Sequence, residues 1–299
     1  MFFTKVVILK LNNMKFTIFT PTYNRAHTLT RLYESLLNQK FINFEWLIVD
    51  DGSTDGTQSL VESFTAENKI NIRYVFQENG GKHIAINTAL ENTSADWFVI
   101  IDSDDYLRKC AMFKIKELAD HLDEKFAGFT GIRFSEKINF NPSQFGNKAW
   151  TEDHSYQWAH HGEMGFIWRA AIVKQFPFPV FEGEKFCQES LVLRRIMQKH
   201  PVLFTDHVLF GGDYLEDGLT ANVWNNMLKS PRYSMLNYSE RIDQNIAKTK
   251  EQEMDFAKKY WDIALSAQHI PWTEKLLGIS FILTAKVFTQ KIRDRFSAR

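Results

Sequence analysis

The sequence predicts an α/β fold with a mainly parallel sheet and a helical C-terminal region. Three observations lead there. Short apolar runs alternate with stretches of helical periodicity over the first hundred residues. Each apolar run ends in polar or charged side chains, and beyond about residue 226 the pattern is helical. The 299 residues, 14% of them aromatic, suffice for a packed core and exclude a disordered chain.

Residues 1–14 begin with a short apolar stretch that lacks both the length of a signal-peptide core and a small-residue cleavage site. They read as an upstream extension, with Met14 a candidate start directly before the first strand, "FTIFTPT" (16–22). Leu29, Leu32, Tyr33, Leu36 and Leu37 then recur at helical spacing and mark one apolar helix face. "EWLIVDD" (45–51) is the second strand, "GTQSLVESFTAEN" (56–68) a helix, "IRYVFQE" (72–78) the third strand and "HIAINTALENT" (83–93) another helix. "WFVIIDSDD" (97–105) reads as a fourth strand driven into three carboxylates. Residues 108–123 predict a helix, "FTGIRF" (129–134) a strand, and 140–186 an irregular stretch bearing Trp and His. "QESLVLRRIMQKH" (188–200) predicts a helix and "VLFTDHVLFGGDY" (202–214) one extended run. The expected organisation is two halves of one domain, 15–107 and 108–225, and a helical region over 226–299. In "LLGISFILTAKVFTQKIRDRF" (276–296) Lys286 interrupts an apolar run too short to span a membrane, and basic residues follow. That pattern fits an amphipathic helix lying on a surface, either a membrane or the protein itself.

The 36 acidic and 36 basic side chains balance, so no basic excess argues for a nucleic-acid partner. Cys110 and Cys187 form no CxxC pair and suggest no disulfide framework, which fits a reducing cytoplasmic setting.

Ligands of open α/β sheets bind at the carboxyl ends of the strands. Thr22, Tyr23 and Asn24 follow the first strand, Asp50 and Asp51 end the second, Glu78 and Asn79 the third, and Asp102, Asp104 and Asp105 the fourth. A polar strand end followed by a helix cap explains one such cluster; four along one sheet edge describe a site. The first strand-to-helix turn, "TPTYNRAHTL", holds no glycine, which argues against a dinucleotide site. "NGGKH" lacks the upstream Gly of a P-loop, where Phe76 stands, and has His83 in place of Ser or Thr. "HGE" (161–163) has no downstream PCxxC, which excludes a zinc deaminase. What remains is a site of spaced aspartates. In an extended segment residues two apart share a side, so Asp102 and Asp104 can face one ligand together. Their oxygens suit Mn2+ or Mg2+, which take phosphates as further ligands. Asp51 could accept a hydrogen bond from a base or ribose.

In this order and spacing, "FTPTYNR", "WLIVDDGSTDGT", "NGGKHIAIN" and "FVIIDSDD" resemble the inverting family 2 glycosyltransferases, whose GT-A fold is a Rossmann-like nucleotide-diphospho-sugar transferase fold. The resemblance covers roughly residues 15 to 110, and its most specific piece is VDDGSTDGT followed about fifty residues later by DSDD. It implies that Thr22, Tyr23 and Asp51 line the base and ribose pocket, with Asp50 supporting the loop. Asp102 and Asp104 would contact ribose and a divalent cation, Mn2+ or Mg2+, with Asp105 an alternative metal ligand. Lys82 stands where it could meet the nucleotide or its diphosphate, or simply be solvated. The family draws its catalytic base from an acidic pair at a helix start, some six residues before an Arg. Glu189, before Arg195, fits that place, although Ser190 stands where the pair's Asp is expected. The plainer alternative is a carboxylate favoured by the helix dipole. Glu184, Asp153 and Glu163 are reserves.

"FPFPVFEGEKF" (176–186) and "DYLEDGLTAN" (213–222) further resemble a bacterial subgroup associated with surface-polysaccharide assembly. The stretch from Trp150 to Trp168 would then help form the acceptor side. Trp150, Trp158 and Trp168 serve there as sugar platforms or as core, and His160 and His161 suggest no metal site. The expected function is transfer of a sugar, most simply from a UDP-linked donor, to a saccharide or lipid-linked saccharide acceptor with inversion. The expected place is the cytoplasm, at the inner face of the membrane if the last helix docks there. The alternatives are a sugar-phosphate nucleotidyltransferase, disfavoured by the missing Gly-rich basic loop after the first strand, and a non-catalytic glycan-binding relative.

Overall fold

The computed structural model describes residues 14–41, 43–135, 148–150, 163–212 and 222–297. Strands β1 (Phe16–Thr22), β2 (Phe44–Asp50), β3 (Asn71–Phe76) and β4 (Trp97–Ile100) lie parallel in the order β3-β2-β1-β4. Helices α1 (Ala26–Leu37), α2 (Thr57–Ala66) and α3 (Lys82–Asn92) connect them. Phe16 and Ile18 of β1 and Trp46 and Ile48 of β2 face one core with Leu29, Leu32 and Leu36 of α1. Phe19, Leu47 and Val49 face a second core with Ala85 and Ile86 of α3. Both sheet faces are covered, which is why these strands read as nearly continuous apolar runs.

The same sheet continues through β5 (Asp105–Leu107), β6 (Gly128–Phe134), β7 (Lys148–Trp150), β8 (Glu163–Arg169), β9 (Val202–Phe204) and β10 (Val208–Gly212). Beyond β4 the order is β8-β6-β10-β5, with β9 against β6 and β7 against β9. β8 runs antiparallel to both β4 and β6, while β10 is parallel to β6 and antiparallel to β5. The sheet is therefore parallel through its first four strands and mixed beyond them. Helix α4 (Ala111–His121) adds Met112 and Ile115 to the first core; α5 (Ala170–Val173) and α6 (Ser190–Met197) add to the second.

Three sequence expectations change here. The stretch 140–186 is not irregular throughout, because it contains β8, the strand that joins the two parts of the sheet. Gly165 is required in it: a Cβ there would lie 2.3 Å from the Phe210 ring. Trp168 is 1% exposed and stacks on Phe166 at 5.1 Å, so it is core and not a sugar platform. Second, 97–105 is not one strand. β4 ends at Ile100, and a turn follows in which the Asp105 N–H donates to the Asp102 carbonyl oxygen at 3.0 Å. Three neighbouring carboxylates are costly in one buried strand, and the turn separates them. Third, Thr205–His207 divide the run 202–214 into β9 and β10. Residues 1–13, Asp153, Trp158, His160, His161 and most of "DYLEDGLTAN" lie outside the described residues, as do the side chains of Trp150 and Glu163.

Helices α7 (Val223–Lys229), α8 (Pro231–Asp243), α9 (Lys250–Ser266), α10 (Trp272–Leu277) and α11 (Phe281–Ser297) complete the chain. They build a third core of their own around Tyr260, Trp261, Ile263 and Val287. Among the described residues, no helix is long and apolar enough to cross a membrane.

Candidate active site at the strand ends

Thr22, at the end of β1, is buried, and its hydroxyl has no hydrogen-bond partner among the described residues. Tyr23 beside it is about half exposed. Asn24 adopts a left-handed φ of 53°, which its short polar side chain tolerates. Its N–H donates to Ser53 Oγ and its Oδ1 accepts from the Thr54 N–H, both at 2.8 Å. These bonds tie the loop after β1 to the loop after β2.

Asp50 and Asp51 shape the second of those loops. Asp50 accepts from the Ser53 N–H at 2.7 Å and from the Tyr74 hydroxyl at 2.6 Å. Asp51 is buried and accepts from Gln77 Nε2 at 2.7 Å, Asn79 Nδ2 at 3.1 Å, the Gly80 N–H at 2.8 Å and the Gly81 N–H at 2.7 Å. A carboxylate offers about four acceptor positions, and these donors fill them. Asp51 thus clamps the 77–81 loop; the expectation of an open acceptor for a base or ribose is corrected on that ground. Gly81 has φ +98°, and a Cβ there would lie 2.0 Å from the Lys185 carbonyl oxygen. Only glycine lets this loop press so closely on the segment that leads to Glu189.

That close approach places Lys82, the first residue of α3, between two acids. Its Nζ is 2.6 Å from Asp102 Oδ1, 2.8 Å from Asp102 Oδ2 and 2.6 Å from Glu189 Oε1. Burial opposes its charge, but the carboxylates of Asp102 and Glu189 prevail and hold the ammonium above its usual range. The solvated reading of Lys82 is overturned.

The turn after β4 sorts its three carboxylates. Burial, reinforced by the charge of Asp102, pushes Asp104 above the ordinary carboxylate range, and among the described residues it makes no ion pair. Asp105 is buried, and Arg133 Nε lies 2.7 and 2.8 Å from its two oxygens, with Nη2 2.7 Å from Oδ1. Burial pushes Asp105 up while Arg133 pulls it down. A carboxylate so held fastens β5 to β6 and is not free to ligate, which removes Asp105 as the alternative metal ligand. The described residues hold no group of three or more His, Cys, Asp or Glu set to grip a metal. Of the remaining donors, Asp104 makes no ion pair among the described residues. Asp102, whose oxygens lie 2.6 and 2.8 Å from Lys82 Nζ, would have to be shared between that ammonium and an ion of the Mg2+ or Mn2+ type that keeps waters and phosphates as its other ligands. The half-buried Asp104 carboxylate, without an ion-pair partner among the described residues, is the observation that favours such a cation there.

Glu189 directly precedes α6, makes no capping hydrogen bond to it, and turns to Lys82 instead. Its neighbours are fastened to α8. Asn237 donates to Gln188 Oε1, Arg194 Nη2 donates to Asn237 Oδ1 at 2.6 Å, and Arg195 Nη2 lies 2.5 Å from Glu240 Oε1. Glu184, one of the reserve bases, is buried and accepts from the Arg232 N–H at 2.9 Å and the Tyr233 N–H at 3.2 Å. It caps the N-terminus of α8 and is not available as a base. His83 Nε2 lies 2.8 Å from the Tyr233 hydroxyl, which accepts from the Phe181 N–H and donates to the Pro179 carbonyl oxygen, each at 3.0 Å. Sequence reasoning missed Gln77, Arg133, Glu184 and Tyr233 in these roles. Each acts on a partner more than 25 residues away in the chain, so no local spacing reveals it.

The structure thus joins Asp102, Lys82 and Glu189, with Asp104 beside them on the same turn and Thr22 and Tyr23 on a neighbouring strand end. The model of the family described as "Glycosyl transferase family 2" matches residues 17–178. The glycosyltransferase GlyA of Streptococcus pneumoniae is 28% identical over 182 residues, 56% of this chain but only 26% of that protein. The poly(ribitol-phosphate) beta-N-acetylglucosaminyltransferase TarS of Staphylococcus aureus is 34% identical over 113 residues, 37% of this chain and 19% of its own. The chain therefore spans about a quarter or less of the length of these two relatives. The crystal structure of TarS 1–349 in complex with UDP-GlcNAc superposes with a TM-score of 0.57 at 20% identity, covering 92% of this chain and 79% of that one. The mannosyltransferase PcManGT of Pyrobaculum calidifontis, in complex with GDP-Man and Mn2+, gives a TM-score of 0.55 at 18% identity and covers 93% and 79%. These likenesses establish the GT-A fold.

Proposed function

The chain belongs to glycosyl transferase family 2, and from that premise we propose that it transfers a sugar from a UDP-linked donor to an acceptor hydroxyl with inversion at the anomeric carbon. The acceptor is a saccharide or lipid-linked saccharide in bacterial surface-polysaccharide or related glycan assembly; the name of TarS, a transferase acting on poly(ribitol-phosphate), supports the setting of surface-polymer assembly. The observation that carries the proposal is the Asp102–Lys82–Glu189 chain, which couples the turn after β4 to the start of α6.

Glu189 is the base. Its carboxylate takes the proton of the acceptor hydroxyl as that oxygen attacks the anomeric carbon, and the bond from that carbon to the diphosphate oxygen breaks on the opposite face. Attack opposite the leaving group is what inverts the configuration. Lys82 orients Glu189 for this by holding it from the Asp102 side. Thr22 and Tyr23 contact the nucleoside, with the Asp51-clamped 77–81 loop as a wall. Asp102 and Asp104 would hold the Mn2+ or Mg2+ ion, which supplies positive charge for the departing diphosphate when bound.

Thermal shifts measured with a panel of nucleotide diphosphates and nucleotide sugars, each with Mn2+ and with EDTA, test this reading. Ligand binding to the native state raises the melting point, by about 2.7 kcal/mol of stability at a hundred times the Kd. The expected result is a metal-dependent rise with UDP and one UDP-sugar. Stabilisation by GDP alone would replace the donor, and no shift with any nucleotide would leave a glycan-binding relative as the better reading.

A further inference from the structure

We propose that the exposed face of α11 docks on an anionic lipid surface. Seven of the thirteen exposed large apolar side chains of the described residues fall between Trp272 and Phe296. On α11, Phe281, Ile282, Ile292 and Phe296 are exposed, Phe281 at 81% and Phe296 at 74%. At about 100° per residue these four fall in an arc of about 100°. Leu283, Thr284 and Val287 point the other way and are buried against the third core. Leu276 and Leu277, the latter 86% exposed, are further exposed apolar side chains at the end of α10, just before α11 in the chain.

Charge decides the occupant. Lys286 and Arg293 are exposed and lie along one edge of the apolar arc, and the acidic residue of the helix, Asp294, lies outside it. From 276 to 299 the chain has five Lys and Arg against one Asp, whereas the whole chain is neutral. A helix that is apolar on one arc and cationic at its margin lies flat in an anionic interface, its rings below the headgroups and its long cations reaching the phosphates. A protein partner matched to a bare apolar stripe gives no reason for that cationic margin. The inference is independent of the transferase reading, and its test reads no activity.

The full chain is sedimented with vesicles of phosphatidylcholine containing phosphatidylglycerol, and with phosphatidylcholine alone, at low and high salt. The expected result is binding to the anionic vesicles that weakens with salt. The Phe281→Ser/Ile282→Ser variant should bind these vesicles about tenfold or more weakly, from the apolar area it withdraws. The Lys286→Glu/Arg293→Glu variant should lose the preference for anionic lipid; all four side chains are exposed, and unchanged melting shows that both variants fold. Failure to bind either vesicle overturns the proposal, as does equal binding to both. So does a concentration-dependent dimer in sedimentation velocity that the Phe281→Ser/Ile282→Ser change abolishes, because the face would then join two copies of the chain.

Discussion

Lys82 turns two separate carboxyl groups into an ordered site. Without its ammonium, Asp102 and Glu189 would face each other as like charges across the space it now fills. Removing one partner of a fully buried pair costs about 3–5 kcal/mol, but the side chains of Asp102 and Glu189 are each about two-fifths exposed and solvent screens part of that. Lys82→Met is therefore expected to lower stability by about 1–3 kcal/mol in urea unfolding, with Lys82→Arg restoring most of it. Glu189→Gln keeps the size and the hydrogen bond to Lys82 but cannot accept a proton. Turnover should fall roughly a hundred- to ten-thousand-fold while the melting rise with UDP stays intact. Normal turnover in that variant would remove Glu189 as the base. The residue types of this site were legible in the sequence, since Asp102, Asp104, Lys82 and Glu189 all stand out by motif. Their pairing was not, because a lysine's partner is set by which loops meet, and Gly81 and Lys185 bring these loops together.

At the scale of elements, the contact between α3 and α8 carries a prediction of its own. His83 is 1% exposed, and burial pushes it down to about 4 from the usual His range. The folded protein therefore holds this ring neutral, whereas the unfolded chain takes up a proton below about pH 6.5. Between those values the unfolded state binds more protons, so stability rises with pH and is lost on acidification from about 6.5 towards 4. The loss from this one group is at most about 3 kcal/mol. Urea midpoints from pH 7 to pH 4.5 should fall accordingly, and His83→Gln, which keeps a donor towards Tyr233, should flatten that slope. An unchanged slope would mean other groups carry it. Elements with strong periodicity were legible: β1, β2, β3, α2 and α3 lie within a residue or two of the sequence reading, and α1 contains the apolar face read from Leu29 to Leu37. β8 was not, because "EMGFIWR" lies inside a His- and Trp-bearing stretch and its apolar run is short. Its identity as a strand comes from pairing with β4 and β6, which lie far away in the chain.

Across the whole molecule, the second and third cores are joined by polar links. Arg194, Arg195 and Gln188 tie α6 to α8, and Arg232 links α8 to Glu274 of α10 at 2.9 Å. Glu184 is the link with the most at stake, since it is buried and satisfies two orphan N–H groups of α8 at once. Glu184→Ala should cost about 1–3 kcal/mol in thermal unfolding. A variant as stable as the parent would show that water replaces the cap without loss. Through this link the helical region holds the segment that carries Glu189, so its packing bears on the site although none of its residues belongs to it.

By itself the sequence determined the class of fold, the family and the sheet edge on which the site lies, because apolar period and short motifs are local properties of the chain. Only the tertiary structure decided which acids are free to act. Asp51 is spent on four donors of the 77–81 loop, Asp105 on Arg133 and Glu184 on α8, while Asp102 and Glu189 share Lys82 and Asp104 stands without an ion-pair partner among the described residues. A carboxylate's availability depends on the donors that folding brings to it. Those donors arrive from distant parts of the chain, so spacing along the sequence could not assign them.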